Sequence, residues 1–193
     1  LVKRIGDGVF GEVWLGKIRN TPAQVAIRLP NLEPNRSGAI PYPKVYVEWK
    51  SFEALHQEAK LWAKASGHKN ILQIIEVGVY GGQIIIVGEP SEFDSLADKL
   101  QTPDKFSIEQ AIKLTIEILN GLEHLHELGL IHRNLTPHTI FLQNETPLLA
   151  NFNITIATRA DGFNYLAPET IANDRTCSVQ TDIWSVGVIL YQL

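Results

Sequence analysis

The spacing of apolar residues changes near residue 90 of this 193-residue chain, and that change restricts the folds open to it. Before that point the apolar residues fall in short β-rich runs, at Val9 to Ile18, Gln24 to Leu29, Leu72 to Val79 and Gln83 to Val87. The last two are joined across Gly81-Gly82, a pair that tolerates the positive φ of a tight hairpin turn. One amphipathic helix interrupts the strands: Phe52, Leu55, Ala59 and Trp62 recur on one helical face, and Gly67 is its C-terminal stop. The connector before it, with Pro30, Pro34, Pro41 and Pro43, reads as extended loop.

After residue 90 the signals are helical. Ser107 with Gln110 three positions later is a capping box, and it opens a long helix with an apolar stripe of Ile112, Ile116, Leu119 and Leu122 that ends near Gly129. Short apolar runs from Leu130 to Ala150 are split by Pro137 and Pro147, an irregular stretch reaches Pro168, and a helix-like run extends from Asp182 to Leu193. Strands first and helices second predict an α+β chain of two lobes, a β-rich one over 1–89 and a mainly helical one over 90–193.

Composition excludes several partners. A formal net charge of -4 gives no basic footprint for nucleic acid, and no apolar run approaches the ~20 residues needed to span a bilayer. The single Cys177 cannot form an internal disulfide and no Cys/His spacing suits zinc, so a reducing, cytoplasmic setting is expected. Sequons at Asn134, Asn144 and Asn153 are read as chance, since no signal peptide accompanies them. With no Met, a first residue in strand-like sequence and a last one inside a helical pattern, the chain is expected to be a fragment.

Gly6-Asp7-Gly8-Val9-Phe10-Gly11 is a G-x-G-x-x-G run, which on its own marks several folds as well as flexible hairpins. In dinucleotide-binding folds the third glycine opens a helix, whereas Gly11 is followed by strand-like Glu-Val-Trp-Leu-Gly. A glycine-rich hairpin that brings unhindered N–H groups to phosphate oxygens is the better reading.

The rest of the chain then resembles the eukaryotic-type protein kinase family in order along nearly its whole length. Val25-Ala26-Ile27-Arg28 resembles the third-strand V-A-I-K, and Glu58, ahead of His68-Lys69-Asn70-Ile71, the helix-C glutamate. His132-Arg133-Asn134-Leu135-Thr136-Pro137-His138-Thr139 is similar to the catalytic loop, and Asn151-Phe152-Asn153 stands at the D-F-G position. Ala167-Pro168-Glu169 closes the activation segment, and Thr181-Asp182-Ile183-Trp184 resembles the start of helix F. The resemblance implies a bilobal kinase-like fold over 1–193, with the helical lobe incomplete after helix F.

The departures carry the chemistry. Arg28 keeps the charge of the phosphate-binding lysine but is larger and differently directed; an ion pair with Glu58 is the expected use of it. Asn134 replaces the aspartate that orients the substrate hydroxyl, a base worth about 10²–10⁴ in rate, and Thr136 replaces the loop lysine. At the magnesium positions Asn151 and Thr139 offer an amide and a hydroxyl where the family has an aspartate and an asparagine, so magnesium binding is not expected. Such losses are not additive, but they agree, while Phe152, Ala167-Pro168-Glu169, Asp182 and Trp184 keep the scaffold pattern.

By resemblance the nucleotide site comprises Gly6, Gly8, Gly11, Val13, Ala26, Arg28, Glu58 and the hinge residue Glu89. Gly88 stands at the gatekeeper position, either opening the back of the pocket or distorting the strand end. Weak or metal-independent ATP binding is left open beside a pocket filled by Arg28 or by the 151–153 segment. Thr155 and Thr158 are candidate phosphorylation sites facing Arg133, against a background of hydroxyls that any polar loop contains. The expectation is a pseudokinase: a regulatory or scaffolding module that docks on a protein, an active kinase or another effector. The alternative is a working Ser/Thr kinase with displaced carboxylates such as Asp161, Asp174 or Glu12, and a third reading is a truncated frame that does not fold alone.

Overall fold

The four early β-rich runs and a further strand over Lys3–Gly8, outside those runs, pair into a five-stranded antiparallel sheet in the order β1-β2-β3-β5-β4. Its strands are β1 (Lys3–Gly8), β2 (Gly11–Lys17), β3 (Gln24–Pro30), β4 (Ile74–Tyr80) and β5 (Gln83–Gly88). This computed structural model describes residues 2–8, 11–18, 23–30, 52–80, 83–89, 94–152, 160–172 and 177–193. Outside them lie the Gly81-Gly82 turn, most of the proline-rich connector, Asn153, Thr155, Thr158 and Asp174; Glu58 and Asp161 are described in backbone only.

Helix α1 (Phe52–Ala65) lies between β3 and β4 in sequence and buries Ala59, Trp62 and Ala65. Gly67, with φ +104°, turns the chain out of it, a conformation that L side chains rarely adopt. A short helix α2 (Leu96–Gln101) follows, closed at its start by a Ser95/Asp98 capping box that the sequence reading passed over.

The capping box at Ser107 and Gln110 opens α3 (Ile108–Glu127), and Gly129 ends it with φ +73°. The stripe expected to be buried is corrected by the structure. Ala111, Leu114, Thr115, Ile118, Leu122 and Leu125 face the core, whereas Ile112 and Ile116 are each 52% exposed. The helix carries apolar residues on more than one face, so spacing alone admits either choice.

The runs between Leu130 and Ala150 form a hairpin of β6 (Ile140–Gln143) and β7 (Thr146–Leu149). Asn144 and Glu145 make its two-residue turn with φ of 48° and 69°, the two positive values of a type I′ turn. A 3-10 turn spans Ala160–Tyr165, helix α4 (Pro168–Ala172) follows, and α5 (Val179–Gln192) starts three residues before the expected Asp182. One core joins the elements: Ala59 and Trp62 of α1 pack with Ile118, Leu122 and Leu125 of α3, Leu149 of β7, Phe152, and Ile189 of α5. Trp184, read as a scaffold residue, is 48% exposed.

Candidate functional site

The loop from His132 to Thr139 is held from below by one buried carboxylate. Asp182, on the first turn of α5, accepts from the backbone N–H groups of His132 at 2.8 Å and Arg133 at 3.0 Å, and His126 Nε2 of α3 lies 2.8 Å away. Arg133 takes φ 66° there, a strained value for a non-glycine residue that these bonds fix in place.

Within the loop, Thr139 acts as a staple. Its hydroxyl donates toward the carbonyls of Asn134 and Thr136 and accepts from the Thr136 N–H, all at 3.0 Å. Asn134, Thr136 and Thr139 are all buried. The Thr139 carbonyl then accepts from the Ala150 N–H at 3.0 Å, which brings the loop beside Asn151.

Asn151 has φ 60°, the left-handed region that asparagine tolerates better than most residues. Its side-chain oxygen accepts a hydrogen bond from Arg28 Nη1, across from β3. The Arg28 guanidinium carbon also lies 5.7 Å from the centre of the Trp62 ring. Burial lowers the Arg28 guanidinium to about 10, so it keeps its charge at neutral pH. Among the described side chains, this amide and this aromatic face are what Arg28 meets; the Glu58 side chain, its expected partner, lies outside what the structure describes.

A column of rings supports the contact. Phe152 packs against Trp62, with centroids 5.4 Å apart, and against His132 at 6.0 Å. Trp62 Nε1 donates to the Leu72 carbonyl at 3.1 Å, tying α1 to the approach to β4. His132 is fully buried, and its two ring nitrogens have no hydrogen-bond partner among the described residues. Burial pushes its pKa from 6.5 down to about 4 against the opposing pull of Asp182, so the ring is neutral. In the sequence Trp62 is one member of a helical stripe; its place four residues after Glu58 was the available signal.

The remaining site residues follow from strand register. Gly8 pairs with Gly11 at the β1–β2 tip, Val13 pairs with Arg28, and Ala26 with both Leu15 and Gly88. Gly6 sits on β1 opposite Val13. The Glu89 N–H donates to the Gln73 carbonyl at 3.3 Å at the end of β5. A Cβ on Gly88 would lie 2.8 Å from that same carbonyl, so glycine is required by the close passage of the chain before β4. Glu12 is engaged elsewhere: it accepts from Trp14 Nε1 at 2.9 Å and pairs with Arg4 at 3.5 Å.

Sequence comparison identifies the family. The protein kinase domain model matches residues 1–193. Similar curated proteins include a probable cell division protein kinase of Encephalitozoon cuniculi, 27% identical over 199 residues that cover all of this chain and 60% of the relative. CBL-interacting protein kinase 11 of Oryza sativa subsp. japonica is 26% identical over 203 residues, covering 99% of this chain and 38% of the relative. Serine/threonine-protein kinase Nek5 of Mus musculus is 27% identical over 205 residues, covering 100% of this chain and 30% of the relative. The chain thus spans between about a third and three-fifths of the length of these relatives. With the family model covering every residue and the kinase lobes, loop and strand register in place, the chain belongs to the protein kinase domain family.

Proposed function

We propose that this chain is the pseudokinase part of a regulatory or scaffolding protein, with its phosphate-site arginine turned to an internal structural use. The observation that carries the reading is the Arg28–Asn151 hydrogen bond, which joins the two positions that in the family serve phosphate and metal. Magnesium does not fit the donor set. The Asn151 oxygen is taken by a guanidinium, the Thr139 hydroxyl is enclosed by three backbone partners, and neither supplies negative charge. Asn134 holds the base position with an amide that cannot take up the substrate proton. Weak, metal-independent ATP binding remains part of the proposal, through the β1–β2 glycines, Val13, Ala26 and the Glu89 hinge. The partner would be a protein, either an active kinase or another effector. No helix of the described residues is long and apolar enough to cross a membrane. A cytoplasmic setting goes with the single half-buried thiol of Cys177.

A second reading, an active Ser/Thr kinase, is favoured by the names of the relatives. It needs a substitute carboxylate at the metal site, and Glu12 is committed to Arg4 and Trp14.

Thermal denaturation with ATP, with and without magnesium, tests the choice. The expected result is a small stabilisation or none, unchanged by magnesium. Magnesium-dependent stabilisation together with phosphate transfer to a protein substrate would overturn the proposal. Joint replacement Arg28→Lys, Asn134→Asp, Thr139→Asn and Asn151→Asp is expected to create a magnesium dependence that the parent lacks.

A further inference from the structure

Helix α1 meets α3 through two histidine rings. His68, in the turn after α1, stacks on His124 of α3 with centroids 4.8 Å apart and planes inclined by 13°. Their hydrogen bonds assign the tautomers. His124 Nε2 lies 3.1 Å from the Ala65 carbonyl, which can only accept, so Nε2 carries the proton. His68 Nδ1 lies 3.2 Å from the Asn70 backbone N–H, which can only donate, so Nδ1 is bare. A proton reaching His68 must therefore settle on Nδ1 and displace that N–H.

The displaced residue is a tether. Asn70 is fully buried, its Nδ2 donates to the Pro147 carbonyl at 3.1 Å, and its own carbonyl accepts from Leu149 N–H at 2.8 Å. Leu72 N–H returns to the Leu149 carbonyl at 2.9 Å. Gln73 laces the turn from the other side, with Nε2 donating to the carbonyls of Ile71 at 2.9 Å and His68 at 3.2 Å. The turn thus connects the end of α1 to β7, two residues before Asn151 at its last position.

We propose that His68 and His124 form a pH-sensitive clasp: the neutral stacked pair holds the end of α1 against α3, and protonation of His68 releases the 68–72 turn. Three influences oppose that proton. Burial acts first, then His124 across the stack, then Lys69 in the same turn. Helix α1 contributes the Ala65 carbonyl and an exposed Lys64, and β7 contributes backbone groups. On α3, Glu123 and Glu127 line a recess with His126 and Ile183 instead. His68 is thereby lowered from its ordinary 6.5, so the clasp is whole above that pH and is lost as pH falls through the lowered value. It operates whether or not the chain binds nucleotide.

Amide exchange, read as protection factors from pH 7.5 to 5, tests the clasp on the intact chain. Protection at the amides of Asn70 and Leu72 is expected to fall as His68 titrates, by at most about tenfold per pH unit, the limit for uptake of one proton. In His68→Gln, which keeps an acceptor without a titrating ring, the fall should vanish. In His124→Phe, which keeps a ring and removes the opposing charge, it should move to higher pH. Flat protection in the parent, or an unchanged fall in His68→Gln, would overturn the proposal. Nitrogen-15 shifts of the parent protein's histidines give an independent reading that needs no variant. They are expected to show His68 unprotonated at Nδ1 at pH 7.5, and a proton there refutes the clasp.

Discussion

Replacing His132 by Phe should remove much of this protein's sensitivity to acid. The native imidazole is enclosed, with no hydrogen-bond partner for either ring nitrogen among the described residues, and burial lowers its pKa from 6.5 to about 4. Because the folded value is the lower one, the unfolded chain takes up the proton first. The stability held by the neutral ring is therefore complete above pH 6.5 and drains away as pH drops toward 4. At about 1.4 kcal/mol per pH unit, the gap between those values sets a ceiling of roughly 3 kcal/mol. About 2 kcal/mol of that is lost between pH 7.5 and pH 5 by the same linkage. Urea denaturation followed by circular dichroism at several pH values would measure it. The parent is expected to lose about 2 kcal/mol more over that interval than His132→Phe. Parallel pH profiles for the two proteins would refute the reasoning, because they would mean that His132 is solvated or paired in the native state.

Other perturbations test separate parts of the fold. Thr139→Val leaves the Thr136 N–H buried without its acceptor and should cost about 1–3 kcal/mol in denaturant titrations, far more than an exposed threonine would. Glu145→Gly relieves a left-handed residue in the β6–β7 turn and should raise stability by about 0.5–1 kcal/mol, read as a higher melting temperature. Gly88→Val drives a side chain into the Gln73 carbonyl and should destabilise the sheet by about 1–3 kcal/mol, again in urea. Ser107→Ala removes the α3 cap and should cost about 1 kcal/mol.

Local chemistry that repeats or punctuates was legible in the sequence. The Ser107/Gln110 cap, the Gly67 and Gly129 stops, and the strands β3 and β5 all follow from short-range rules, and the structure places them within a residue or two. The choice of buried face on α3 was not legible. It depends on where α5 and β7 lie, and Ile112 and Ile116 look as apolar in the sequence as Leu114 and Ile118 do. The β6–β7 hairpin escaped because its turn uses Asn144-Glu145, with glutamate where glycine is the usual signal, and because Pro147 lies inside β7. At the site, the substitutions could be named from the motif alone, but not what they would do with one another. That Arg28 would reach Asn151, and that Thr139 would spend its hydroxyl on its own loop, depend on contacts between residues up to 123 positions apart. The close passage of the Gln73 carbonyl over Gly88 is another such contact, and neither expectation for that glycine included it.

Trp62 has a further consequence for how α1 can move. One indole holds the Leu72 carbonyl through its N–H, faces the Arg28 guanidinium, and packs at a tilt against Phe152. A swing of the helix by part of a turn would break all three together and leave a buried N–H, a desolvated cation and a ring-sized void. Intermediate tilts are therefore penalised more than either end point. Any partner that repositions α1 should find it bistable, locked or fully detached, so its response to binding would be a step and not a slope.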